Sequence, residues 1–293
     1  MPALRDWVAG ARPRTLPAAV SPVVVGTGAA AAVGSVVLTR AVLALVVAVA
    51  LQVGVNYAND YSDGIRGTDN ARIGPFRLVG SGTASPTNVR TAAFIWFAIA
   101  CAAGLALVVL TGAWWLLVLG GLAVAAAWFY TGGSRPYGYR GLGEVSVFVF
   151  FGLVAVIGST YVQVGRVTPA SVVCGVAIGC LACAILVVNN LRDVAGDARS
   201  GKRTLAVVLG SGRTRLLYAG LLTTAYALAI ALAIAGRPWV ALAMLSAPLA
   251  ARAARAVIRG SGGAELGPVL RDTATTELCY AALLALGLSV SNG

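Results

Sequence analysis

Nine stretches of this chain run for about twenty residues with almost no charge, which is the length a helix needs to cross ~30 Å of hydrocarbon. They lie near 16–34, 40–58, 91–111, 114–131, 144–164, 169–190, 214–235, 238–258 and 274–290. The boundaries are soft, and Arg252 and Arg255 intrude on the end of the eighth window, so the count reads as eight or nine. Residues are 59% hydrophobic and only 11% charged, a composition that places the chain in the membrane class. The expectation is an all-α, polytopic integral membrane protein, one domain over 1–293, with the bilayer as its solvent. The first apolar run follows Arg5, Arg12 and Arg14 and reads as an uncleaved first span, because a second long apolar run follows within a few residues.

Charge supplies the topology. With the N-terminus placed in the cytoplasm, 19 of the 22 basic residues fall on the cytoplasmic side, leaving only Arg40, Arg166 and Arg237 outside. The net charge of +12 therefore reads as orientation, and nucleic acid is not expected as a partner. All ten acids, Asp6, Asp60, Asp63, Asp69, Glu144, Asp193, Asp197, Glu265, Asp272 and Glu277, map to the same face. The positive-inside rule says little about acids, so this one-sidedness asks for a different cause, such as a cation-dependent site. The outer connections are short (35–39, 112–113, 165–168, 236–237) and the cytoplasmic ones long (59–90, 132–143, 191–213, 259–273), which puts function on the cytoplasmic side. The chain has no histidine, which removes the commonest general base and zinc ligand. Its five cysteines sit inside apolar runs and read as small packing residues, the Cys180-x-x-Cys183 pair included.

Two clusters carry the chemistry. At the end of the second window, Asn56, Asp60 and Asp63 stand at i, i+4 and i+7, one face of a continuing helix. At the end of the sixth, Asn189, Asp193 and Asp197 stand at i, i+4 and i+8. Magnesium prefers hard oxygen ligands and is usually held by one or two carboxylates plus substrate phosphate oxygens. Two facing clusters thus suit a magnesium-diphosphate clamp, with Arg66, Arg77, Arg192 and Lys202 (and Arg203) to meet the remaining phosphate charge. A third loop, Trp128 to Glu144, is rich in glycine and aromatics; its aromatic rings are suited to an apolar or cationic group, or to anchoring at the interface. A faint internal repeat, Asn-x3-Asp followed by a basic loop ending in Gly-Ser-Gly at 80–82 and 210–212, fits two pseudo-symmetric bundles or chance similarity in Gly-rich sequence.

These motifs resemble the UbiA superfamily of intramembrane prenyltransferases over nearly the whole chain. The first family motif, Asn-x-x-x-Asp-x-x-Asp, stands as Asn56, Asp60 and Asp63, and the second as Asn189, Asn190, Arg192, Asp193 and Asp197. Within the superfamily, Arg12-Pro-Arg-Thr-Leu-Pro17, Arg77-Leu-Val-Gly-Ser-Gly82 and Gly201-Lys-Arg-Thr-Leu-Ala206 resemble the 1,4-dihydroxy-2-naphthoate polyprenyltransferases of menaquinone synthesis. The resemblance implies about nine helices around a central cavity, a cytoplasmic cap over the diphosphate site, and a lateral opening for the prenyl tail. It implies Mg2+, a polyprenyl diphosphate and 1,4-dihydroxy-2-naphthoate as substrates, and a bacterial cell membrane with the site facing the cytoplasm. Asp60, Asp63, Asp193 and Asp197 are then expected in the catalytic and metal-binding centre with Asn56 and Asn189, and Asp69 as a proton acceptor. Arg66, Arg77, Arg192 and Lys202 are expected on the diphosphate. Trp128, Tyr130 and Tyr139 are expected around the carbocation, and Arg135, Arg140 or an N-terminal arginine on the naphthoate carboxylate.

Rival classes fit less well. A 4-hydroxybenzoate or tetrapyrrole acceptor is the nearest alternative. A CDP-alcohol phosphotransferase begins its signature like Asp60-x-x-Asp63-Gly64, but here Gly67-Thr68 follows where that family needs Ala-Arg. An ion-coupled transporter places its acids near the midplane, whereas these lie at span ends. Tail length and oligomeric state are not encoded in any motif.

Overall fold

The computed structural model describes residues 2–68 and 76–291, and these are helical with short connections. A short amphipathic helix, α1 (Leu4–Ala11), leads through a 3-10 turn at Pro13–Thr15 into α2 (Pro17–Ala31). There follow α3 (Leu38–Ile65), α4 (Pro86–Thr111), α5 (Leu116–Phe129), α6 (Gly143–Val164), α7 (Pro169–Arg199), α8 (Leu205–Ile234), α9 (Pro238–Ile258) and α10 (Gly263–Val290). Seven of them, α3, α4 and α6 to α10, are long and apolar enough to cross a membrane. The first and fourth predicted windows instead hold helices of 15 and 14 residues. At 1.5 Å per residue these cover about 20 Å, less than the hydrocarbon thickness. The chain is therefore a multi-pass membrane protein, with α2 and α5 shorter than the windows from which they were expected.

Sequence explains the helix ends. Proline occupies the first turn of α2, α4 and α7, where its missing N–H costs nothing. Ser85 and Thr168 accept backbone N–H groups from Asn88 (3.3 Å) and Ser171 (3.1 Å) as N-caps. Arg40, one of the three basic residues off the charge pattern, donates to the carbonyls of Val162 (3.0 Å) and Leu110 (2.8 Å), near the ends of α6 and α4. That hydrogen bonding gives Arg40 a structural reason to stand apart from the other cations.

Two of the four apolar clusters among the described residues hold most of the buried core. The larger joins α2 and α6 to α10 through Val25, Ile178, Leu181, Leu222, Val240 and Leu284. The smaller joins α3, α4 and the 78–84 loop through Val53, Ala58, Leu78, Val89 and Phe97. Helix α7 is the most enclosed of the spans, its most apolar window 78% buried, and it packs against α6, α8 and α10. Because lipid is as apolar as the core, close backbone approach does the work here that burial does in water. A Cβ added at Gly152 of α6 would lie 2.5 Å from Gly179 Cα, so only glycine permits that contact. Two pairs of buried hydroxyls satisfy each other, Tyr218 with Thr273 and Tyr226 with Ser246.

Both motif helices continue past membrane length, α3 over 28 residues and α7 over 31. That extension is what lets Asn56 to Asp63 and Asn189 to Asp197 keep helical spacing. The two Gly-Ser-Gly echoes differ locally: 80–82 is a turn between α3 and α4, while Gly210 is a kink inside α8 (φ 74°, ψ 161°).

Candidate active site

Between the clusters lies a cavity of about 570 Å³. Its deep wall is apolar, from Val23, Ala44, Gly104, Leu107, Leu116 and Val162. Its other end is polar, lined by Arg12, Asn56, Asn59, Asp63, Arg77, Tyr130, Asn189, Asn190 and Lys202. One chamber thus joins a hydrocarbon-like channel to a cation-rich, oxygen-rich end.

The polar end is assembled from four segments. The first is the N-terminal strap. Thr15 Oγ1 donates to Arg12 O (2.9 Å) and accepts from Gln52 Nε2 (2.9 Å) and Asn56 Nδ2 (3.0 Å), which uses its full capacity of one donor and two lone pairs. Asn56 Nδ2 also donates to Ala11 O (2.9 Å), and Tyr57 Oη donates to Trp7 O (2.8 Å). These bonds hold Arg12 at φ 54°, the single left-handed residue other than glycine among the described residues. Such a conformation costs about 1–2 kcal/mol and persists where surrounding structure fixes it. Its outcome is an arginine on the cavity wall.

The second segment is the loop after α3. Asp60 accepts the backbone N–H groups of Leu78 (2.8 Å) and Val79 (3.0 Å), pinning the loop that carries Arg77. Asp63 accepts Tyr139 Oη at 2.5 Å, and Arg77 Nη2 lies 3.4 Å from its other oxygen. The third and fourth segments are the 130–142 and 200–204 loops, which Arg203 N joins by donating to Tyr139 O (3.1 Å). The Tyr139 ring lies under two cations, Lys202 Nζ at 4.9 Å and the Arg66 guanidinium at 5.5 Å. Burial first, and the Asp63 carboxylate second, push the Tyr139 phenol well above its ordinary range, so it acts as a neutral donor.

The expected site residues divide on this geometry. Asn56, Asp63, Arg77, Tyr130, Asn189 and Lys202 reach the cavity wall. Asp60 is fully buried beneath it, where its oxygens hold the loop. Asp193 and Asp197 are buried on the face of α7 that continues from Asn189. Arg192 is not brought to the wall: its guanidinium grips both Asp193 oxygens at 2.8 Å and Asn189 Oδ1 at 2.8 Å. Arg66, expected on the diphosphate, instead donates to the carbonyls of Thr131 and Gly133 and so anchors the aromatic loop. Trp128 stacks with Phe94 (4.8 Å) and Tyr61 (6.2 Å) away from the cavity. Arg135 and Arg140 are exposed. Asp69 lies outside the described residues.

Three further amides line the cavity: Asn59, whose Oδ1 accepts from Thr131 Oγ1 (2.7 Å), Gln52, and the motif residue Asn190. Asn59 and Asn190 were legible as amides beside motif residues; Gln52 lies one turn before Asn56 on the same face.

The donor set fits magnesium in kind. The polar end of the cavity offers carboxylate and amide oxygens, and cations to complement a bound polyphosphate, while the lining cysteine, Cys101, lies among the apolar residues of α4. Among the described residues no three His, Cys, Asp or Glu side chains converge as a cage. That agrees with a cation completed by phosphate oxygens and water rather than by the protein alone.

Comparison with known proteins agrees with this geometry. The model of the UbiA prenyltransferase family matches residues 19–265. The 1,4-dihydroxy-2-naphthoate octaprenyltransferase of Mycobacterium tuberculosis is 55% identical, with 99% of this chain and 98% of that one covered. The protein of the same name from Escherichia coli is 40% identical, covering 97% and 95%. Among solved structures, the apo UbiA homolog of Aeropyrum pernix superposes with TM-score 0.72 at 18% identity, covering 92% of this chain and 97% of that one. A UbiA homolog of Archaeoglobus fulgidus bound to GPP and Mg2+ gives 0.63 at 16% identity, covering 95% and 99%. Motifs, cavity and relatives converge, and the chain belongs to the UbiA prenyltransferase family.

Proposed function

We propose that the protein transfers a polyprenyl group from a polyprenyl diphosphate to 1,4-dihydroxy-2-naphthoate, releasing diphosphate and carbon dioxide and giving demethylmenaquinol, the hydroquinone form of demethylmenaquinone. The observation that carries this reading is the single cavity with one apolar and one cationic end. An allylic diphosphate has the same two ends, and relatives that carry this activity in their names match nearly the whole chain at 29–55% identity.

Arg77 and Lys202 would meet the diphosphate at the polar end, and Asp63, Asn59, Asn56 and Asn189 would hold Mg2+ through their oxygens, with Asp60, Asp193 and Asp197 supporting them. When bound, Mg2+ neutralises charge on the leaving diphosphate. The residues themselves do the rest. Fixed cations aimed at the departing oxygens stabilise charge as the allylic C–O bond breaks. Apolar walls from Val23 to Leu116 hold the tail and exclude the water that would trap the cation. Tyr130 and Tyr137 also line the cavity, their rings edge-to-face at 5.5 Å, and supply aromatic surface for a carbocation. Attack by the carboxyl-bearing ring carbon forms the new C–C bond. Loss of carbon dioxide returns its bonding electron pair to the ring, so prenyl replaces carboxylate without a net proton transfer.

Of the cations considered for the acceptor carboxylate, Arg12 lines the cavity and Arg135 and Arg140 do not, which favours Arg12. In the bilayer, the shorter α2 and α5 complete nine spans where local thinning makes up their length, with the motif ends and the joined loops forming a cap on the cytoplasmic side, as the distribution of basic residues favours. The host membrane is then a bacterial cell membrane. Purified protein given magnesium, a polyprenyl diphosphate and the naphthoate will release pyrophosphate and form prenylated product, and EDTA will stop both. Turnover with 4-hydroxybenzoate and none with the naphthoate would refute the acceptor.

A further inference from the structure

The diphosphate chemistry makes no use of Glu144, yet this carboxyl is only 7% exposed and is held with care. It stands in the first turn of α6, and its carbonyl lies 3.1 Å from Cys183 Sγ of α7. Its Oε1 accepts Asn190 Nδ2 at 2.9 Å across 46 residues of sequence. Its Oε2 is buried without a protein partner, and no salt bridge reaches it among the described residues. Asn190 is itself 5% exposed and lines the cavity, next to the Asn189 of the second motif. Tyr130, also on the cavity wall, brings its hydroxyl against the backbone next to Glu144: a Cβ on Gly143 would sit 3.0 Å from it.

We propose that Glu144 is a positioning residue that fixes the orientation of the Asn190 amide and thereby makes the site select a ring hydroxyl on the acceptor. This rests on the acceptor reading given above. A carboxylate only accepts hydrogen bonds, so the amide facing it must present Nδ2, which settles an orientation that is otherwise ambiguous by geometry. Asn190 is then left with Oδ1 as the atom to offer the cavity. An amide oxygen accepts a phenolic O–H and repels a quinone carbonyl, because two acceptors facing each other in a dry site leave both unpaired. The pair thus distinguishes a dihydroxy aromatic ring from its oxidised or dehydroxylated counterparts. Without Glu144, the Asn190 amide is free to turn over, present its NH2, and lose that preference.

The test uses the full chain in detergent with magnesium and a polyprenyl diphosphate. It measures KM for 1,4-dihydroxy-2-naphthoate and inhibition constants for 1-hydroxy-2-naphthoate and 4-hydroxy-2-naphthoate. Sites built to bond a hydroxyl reject the analogue lacking it strongly, so wild type should prefer the dihydroxy ring over at least one monohydroxy compound by about tenfold or more. In Glu144→Gln that ratio falls to about two or less, while KM for the polyprenyl diphosphate stays within about twofold. The exchanged pair, Glu144→Gln with Asn190→Asp, restores an amide donor to a carboxylate and regains the ratio; Asn190→Ala, which leaves Glu144 in place, loses it. An unchanged ratio in Glu144→Gln and Asn190→Ala, or a KM for the diphosphate that rises in step with that for the acceptor, overturns the inference. Wild type that leaves the naphthoate untouched overturns the acceptor reading instead.

Discussion

Tyr139 is the point at which the aromatic loop meets the first motif, and changing it to phenylalanine removes one atom with a definable role. The hydroxyl donates to Asp63 Oδ1 at 2.5 Å, while the ring lies under Lys202 and Arg66. A hydrogen bond to a charged group contributes about 1.5–3 kcal/mol, so Tyr139→Phe should lower kcat/KM for the polyprenyl diphosphate by roughly 10- to 150-fold. The ring remains in that variant, and with it both cation contacts. Tyr139→Ala removes them as well, at about 0.5–1 kcal/mol each, so its loss should be a further 5- to 30-fold or so. Pyrophosphate release at varied diphosphate concentration measures both. Since the phenol is held neutral well above its ordinary range, the ratio of wild type to Tyr139→Phe should stay flat from pH 6 to about 9. A Tyr139→Phe enzyme equal to wild type would show that the bond to Asp63 does not order the site. Equal losses in the two variants would show that the ring contributes nothing beyond its hydroxyl.

Other outcomes follow from the same geometry. Arg12→Met should raise KM for the naphthoate at least tenfold while KM for the diphosphate moves little, and Arg140→Met should change neither, as steady-state kinetics with each substrate varied will report. Asp60→Ala strips the loop N–H groups of Leu78 and Val79 of their acceptor and should abolish turnover while the protein still inserts in the membrane, which pairs an activity assay with a membrane-extraction profile. Gly152→Val drives side-chain atoms into Gly179 of α7 and should lower the detergent melting temperature or prevent accumulation, read by fluorescence-detected size exclusion.

How far the sequence reaches is clear from single residues. The faces of Asn56-Asp60-Asp63 and Asn189-Asp193-Asp197 were legible because helical spacing is a local property and both helices run on past the membrane. The seven long spans were legible for the same reason; the short α2 and α5 were not, because an apolar window also counts the irregular residues at 32–34 and 114–115. Which charges face the cavity was not legible. Arg66 and Arg77 flank the same loop with the same chemistry, but one is held by the carbonyls of Thr131 and Gly133 and the other stands on the wall beside Asp63. Arg12 looked like one N-terminal arginine among several until Asn56, 44 residues on, tied down the turn that carries it. Such contacts join segments whose spacing in sequence carries no periodic signal.

Replacement of carboxylate by prenyl on a naphthoate ring can be followed with 1,4-dihydroxy-2-naphthoate labelled in its carboxyl carbon, supplied with magnesium and a polyprenyl diphosphate. Labelled carbon dioxide and pyrophosphate should be released in equal amounts, with an unlabelled prenylated product and no release of either in EDTA. A prenylated product that keeps the label, or pyrophosphate released without any prenylated ring, would contradict that replacement.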